Sequence, residues 1–114
     1  MPLYLEGKVI VKKLKFAKNF FERLIGLMFK KNVDYALIFY LQKESRINAA
    51  IHTMFMFMQI DVLFLNDKKR IVDIKQKMKP WSFYIPKRKA KYIVEIPSGI
   101  IKNFPKLMQK MSWR

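Results

Sequence analysis

Apolar residues along this chain follow two periods and one nearly continuous run. Ala17, Phe20, Phe21, Leu24, Ile25 and Met28 recur at i, i+3, i+4, i+7, i+8 and i+11, which is one face of an amphipathic helix. The pattern predicts a helix ending near Phe29, with Lys30 and Lys31 suited to its C-terminal dipole. Elsewhere the signals are those of strands. Leu3 to Val11 contains the β-branched Val9, Ile10 and Val11. Ala36 to Leu41 is short and wholly apolar, as for a strand buried on both faces. Arg70 to Met78 alternates, with Val72, Ile74, Gln76 and Met78 on one face and Asp73, Lys75 and Lys77 on the solvent face. Lys91 to Ile96 is a further strand, closed by Pro97-Ser98-Gly99.

The connections are equally legible. Residues 42–48 are polar and read as a loop, and Asn66 to Lys69 carry turn chemistry. Trp81 to Pro86 is an aromatic connector, and Lys87-Arg88-Lys89 a basic turn. The tail suggests a helical turn before Pro105, then a strand with Leu107, Gln109, Met111 and Trp113 on one face. The long apolar run from Ile51 to Leu65 is interrupted only by His52, Thr53, Gln59 and Asp61. It predicts a hairpin turning at 57–60, which pairs Met56 with Asp61. These elements, about six or seven strands and one good helix, define a single β-rich α+β domain over residues 1–114. The expected form is a mostly antiparallel curled sheet or a partly open small barrel with one main helix. Phe20, Leu24, Ile38, Phe39, Val62, Phe64, Ile74 and Val94 should form its core.

Composition removes several function classes. The chain has no cysteine, which excludes disulfides, zinc fingers, iron–sulfur clusters and thiol catalysis. With one histidine, neither a protein-held metal nor a cofactor is expected. Glu6 and Lys8 break the early apolar run, so no signal peptide is predicted. The longest uncharged run falls short of the ~18 residues of a spanning helix. A cytoplasmic protein without a membrane partner is the expectation.

Charge adds a second theme. The net charge is +16, distributed as +6 over residues 1–31, −1 over 32–65, +7 over 66–96 and +4 over 97–114. A field of that size attracts polyanions. Nineteen of the 24 cations are lysine, which suits a solvated surface better than bidentate recognition. The lysine- and isoleucine-rich composition is thermophile-like.

Several spaced blocks resemble a known family. They are Arg23-Leu24-Ile25-Gly26-Leu27-Met28-Phe29, then Ala36-Leu37-Ile38-Phe39, then Ile51-His52-Thr53-Met54-Phe55-Met56, then Ile60-Asp61-Val62-Leu63-Phe64-Leu65, and finally Tyr92-Ile93-Val94-Glu95-Ile96-Pro97-Ser98-Gly99. Their order and spacing are similar to the archaeal form of domain of unknown function 192, also called uncharacterised protein family 0127. The resemblance covers roughly residues 16–100. Gln59 stands where that family usually has proline, and the tail after Gly99 lacks its usual Gly-Asp turn. The resemblance implies no reaction, because the family has none established.

Candidate chemistry centres on His52 and Asp61. On the predicted hairpin they share a face, but His52 lies opposite Leu65, roughly 13 Å from Asp61 at about 3.3 Å per residue. That is too far for a catalytic pair. Asp61 should instead cap a turn through backbone N–H groups, or pair with Arg23 or a lysine. His52, Met54, Met56 and Met58 have the spacing of a soft-ligand face for Cu(I), but methionine is a routine core filler and core is the expectation. Trp81 and Tyr84 beside Lys87, Arg88, Lys89 and Lys91 mix aromatics with cations, as single-strand nucleic-acid sites do. No phosphate-binding glycine loop, nucleophile elbow or catalytic residue stands out. The leading expectation is a non-catalytic module that binds a ligand or a protein partner, with Arg23, Gly26, His52 and Asp61 on its family-specific surface. The alternative is a nucleic-acid-binding module on the basic flanks, non-specific and salt-sensitive. The third is an enzyme acting on a small substrate.

Overall fold

The computed structural model describes residues 1–113, apart from the side chains of Phe20 and Phe21. The chain runs β1 (Leu3–Leu5), β2 (Lys8–Val11), β3 (Leu14–Phe16), α1 (Phe20–Ile25), β4 (Ala36–Ser45), β5 (Ile51–His52), β6 (Ile60–Leu65), β7 (Ile71–Met78), β8 (Phe83–Tyr84), β9 (Ala90–Pro97) and β10 (Met111–Trp113). A five-stranded sheet, ordered β3-β4-β9-β6-β7, forms the middle of the domain. Its pairings are antiparallel except for β3 with β4. A three-stranded sheet, β10-β1-β2, and a β5-β8 ribbon complete the architecture. The sheets curl without closing into a barrel, so the β-rich α+β fold is present in its open form.

The middle sheet is buried on both faces, which explains why β6 reads as an apolar run and not as an alternation. Ile38, Leu63, Leu65, Val94 and Ile96 pack on Leu3, Val11 and Met111 of the small sheet. The alternate residues Phe39, Ile60, Val62, Phe64 and Ile93 pack on Leu27, Ala49, Ile51 and Met56. That second cover is irregular chain around α1 and β5. Ile38, Phe39, Val62, Phe64 and Val94 are buried as expected. The expectation for Phe20 lies outside the described residues.

Several expectations need correction. Leu3 to Val11 is a hairpin and not one strand, because Glu6 and Gly7 both take positive φ, +49° and +83°, as a tight hairpin turn requires. The helix stops at Ile25. Gly26 has φ +48° and ψ −117°, a conformation that side chains resist, and its N–H still bonds the Glu22 carbonyl at 2.8 Å. At the other end Asn19 accepts from the Glu22 N–H, and the Glu22 carboxylate accepts from the Lys18 N–H. Leu27 then reaches the core while Leu24 is 48% exposed, so Leu24 is not a core residue. β4 continues through residues 42–45, which had read as loop.

The 51–65 hairpin does not form. β5 pairs with β8 instead, with Ile51 opposite Tyr84 and His52 opposite Phe83. The buried Thr53 directs this exchange. Its hydroxyl donates to the Lys79 carbonyl at 2.6 Å and accepts from the Ser82 N–H at 2.8 Å. β7 does not alternate cleanly either. Two register shifts interrupt its pairing with β6, so Asp73 is buried and Ile74 only half-buried. In the tail only Met111 to Trp113 form a strand; Leu107 is exposed, and no helical turn precedes Pro105.

Candidate functional site

The short helix leaves a gap in the irregular cover, and the gap is a cavity of about 260 Å³. Arg23 to Gly26 form one wall. Phe39 and Glu95 of the middle sheet contribute further lining, as do Ile47, Asn48, residues 50–52 and Met56. Three of the expected site residues, Arg23, Gly26 and His52, therefore meet here. Asp61 does not line this cavity. It is buried near the start of β6, where one carboxylate oxygen accepts from the Lys77 N–H at 2.8 Å and the Ser98 hydroxyl at 3.0 Å. The expectation that Asp61 accepts backbone N–H groups holds, and the bonds make it an anchor between β6, β7 and the end of β9.

His52 has both ring nitrogens engaged. Nδ1 accepts from the Met54 N–H, and Nε2 donates to the Leu24 carbonyl, each at 3.2 Å. A backbone donor on one nitrogen and a carbonyl on the other define the neutral ring protonated at Nε2. The ring thus ties the end of α1 to the chain beyond β5. It shapes the cavity and holds no free lone pair for proton transfer.

The residue that sequence reasoning missed is Glu95. Its side chain is 3% exposed, and Oε1 has no hydrogen-bond partner. Among the described residues it is the one buried side-chain oxygen or nitrogen left in that state. Burial pushes the carboxyl up to about 8, against the opposing pull of Arg23. The Arg23 guanidinium sits over the Phe39 ring, 5.5 Å from its centroid. Burial lowers its proton affinity, and Glu95 restores part of it. A Cβ on Gly26 would lie 3.5 Å from Glu95 Oε1, an ordinary van der Waals contact, so it is the turn, with φ +48°, and not the space at the acid that calls for glycine. A signal for Glu95 existed, since it is a charged residue inside the apolar run Ile93 to Ile96, the same kind of interruption that marked Asp61.

The basic and aromatic candidates are arranged differently. Trp81 is 61% exposed and packs edge-on against Phe55, 4.6 Å between centroids. Phe55 in turn meets Phe29, and Phe29 meets Phe57. Tyr84 faces inward on Phe64, and its hydroxyl donates to Asp73 at 2.7 Å. Burial and that bond push Tyr84 up to about 12. Asp73 also accepts from the Lys87 N–H at 2.8 Å. Lys87, Arg88 and Lys89 are exposed, and the Lys91 ammonium lies 5.7 Å from the centre of the Tyr92 ring. Trp81 and Tyr84 do not form one stacking platform. Among the described residues no cluster of three histidine, aspartate or glutamate side chains could hold a metal ion, and no helix is long and apolar enough to cross a membrane.

An open, curled α+β sheet with a buried acid and a cation at one cavity defines the class. The chain belongs to the family of domain of unknown function 192 (DUF192, Uncharacterized ACR), whose model matches residues 4–105. It is 55% identical over 96 residues to a UPF0127 protein of Pyrococcus furiosus, spanning 84% of this chain and 81% of the relative. It is 50% identical over 96 residues to a UPF0127 protein of Thermococcus sibiricus, again 84% of this chain but 62% of that protein's length. The crystal structure of a protein of unknown function from Novosphingobium aromaticivorans superposes with a TM-score of 0.81 at 17% identity, covering 99% of this chain and 84% of the other. That likeness is one of fold. The matched region is wider than the 16–100 expected from the motifs alone.

Proposed function

We propose that this chain is a non-catalytic binding module whose site is the cavity bounded by Arg23, Gly26, His52 and Glu95. The observation that carries this reading is the unpartnered Glu95 oxygen. A buried polar atom without a hydrogen bond costs about 1–3 kcal/mol, and a chain that retains one beside an open cavity gains by offering it to a ligand. Perturbed acids cluster at functional sites for that reason. Gly26 and His52 support the reading as shaping residues, one by turning the chain at the end of α1 and the other by pinning that end. Asp61 lies outside the cavity and anchors β6 to β7 and the end of β9. The engaged nitrogens of His52 argue against acid–base chemistry through that ring.

The test is a fragment screen read by amide chemical shifts of the intact chain. Hits should move Gly26, His52 and Glu95 together. A screen whose hits move only other amides, or move none, overturns the proposal.

A further inference from the structure

We infer, building on that reading, that the cavity takes a small monocarboxylate with a compact apolar body, its anionic end held between the Arg23 guanidinium and the Glu95 carboxyl. The Arg23 side chain is half-buried and donates no hydrogen bond to another described residue. A guanidinium presents a planar fork of donors, which matches the two oxygens of a carboxylate. The remaining lining is mainly apolar, from Leu24, Ile25, Ile47, Ile51 and Met56, so the rest of the ligand should be hydrocarbon.

The facing charges limit the ligand further. α1 contributes Arg23, β9 contributes Glu95, and β5 contributes His52, whose nitrogens are both taken by backbone groups. β4 contributes only the Phe39 ring. No lysine lines the cavity, so there is no second cation to neutralise a dianion. The volume of about 260 Å³ lies below the ~300–1,000 Å³ usual for ligand pockets, which excludes a long chain.

Glu95 decides between an acid and its neutral isostere. Near neutral pH burial keeps it largely protonated, so its O–H can donate to a bound carboxylate. Once Glu95 ionises, two carboxylates face one guanidinium and repel. Binding is therefore linked to one proton on Glu95. It should weaken as pH rises through about 8.

The experiment titrates isovalerate and isovaleramide into the intact chain at pH 6 and pH 9, following the Gly26 and Glu95 amides. Isovalerate should bind at pH 6 and weaken by up to about tenfold at pH 9, while the amide stays weak at both. Glu95→Gln should bind isovalerate equally at the two pH values, and Arg23→Gln should lose about tenfold or more at pH 6. The acid–amide comparison in the wild type needs no variant to fold. An amide that binds as well as the acid, an acid that fails to bind, or a pH dependence that persists in Glu95→Gln each overturns the ligand class. The fragment screen decides separately whether the cavity binds anything.

Discussion

The two faces of the middle sheet solve the same problem with different completeness. On one face Leu63, Leu65, Val94 and Ile96 meet Leu3, Val11 and Met111, and regular strands cover regular strands. Its polar neighbour, Asp61, accepts from a backbone N–H and a serine hydroxyl on one oxygen. On the other face Phe64 and Ile93 pack in one cluster with Leu27, just past a six-residue helix, and with the irregular chain around β5. There Asp73 accepts from Ile74 N–H, Tyr84 hydroxyl and Lys87 N–H, yet Glu95 keeps an oxygen with no partner. A second sheet supplies continuous cover, whereas a helix that ends at Gly26 leaves a gap. The buried carboxylates with partners hold strands together. The one without a partner stands where the cover is incomplete.

The largest expected effect sharpens this contrast by removing core from the covered part of the second face. Phe64 is fully buried, and Phe64→Ala should cost roughly 3–5 kcal/mol in urea unfolding. A loss below about 1 kcal/mol would mean that the sheet is not packed as described. Next comes a partnered carboxylate. Asp73→Ala strands the Tyr84 hydroxyl and the Lys87 N–H, and should cost about 2–3 kcal/mol. If it costs nothing, the distinction between partnered and unpartnered acids fails.

Glu95→Gln gives the smallest change near pH 5, and the difference from wild type grows as pH rises. The folded carboxyl is raised to about 8 from its ordinary 4.5. Below pH 4.5 both folded and unfolded chains hold the proton, and the acid imposes no penalty. Between 4.5 and about 8 the unfolded chain ionises first. Wild-type stability should then fall with rising pH by up to about 1.4 kcal/mol per pH unit. In Glu95→Gln that slope should be shallower by the same amount, and the two proteins should converge near pH 5. Parallel stability curves for the two would break the comparison.

Much of the domain was legible in the chain itself. The apolar run of β6, the turn at Asn66, and the strand Ala90–Pro97 were each readable because local composition decides them. The expected surface grouped Arg23, Gly26, His52 and Asp61; the first three line one cavity and Asp61 lies outside it. The errors fell where pairing is between distant segments. Ile51 and His52 pair with Tyr84 and Phe83 and not within the expected hairpin, because Thr53 bonds to chain some 26 to 29 residues away. Helix periodicity overran Ile25 because Gly26 turns the chain to bury Leu27 and not Leu24.

The chain by itself therefore determined the strands of the apolar runs at 36–41, 61–65 and 91–96, the presence of one helix after Ala17, and that an acid interrupts the apolar run at Asp61. Those are properties of neighbours in sequence, where side-chain period and turn chemistry act. Only the tertiary structure decided which acid is satisfied. The donors to Asp61 come from residues 77 and 98, and the helix end that faces Glu95 lies about 70 residues away. Whether a buried carboxyl finds a donor depends on which backbone groups fold around it, and no local pattern encodes that.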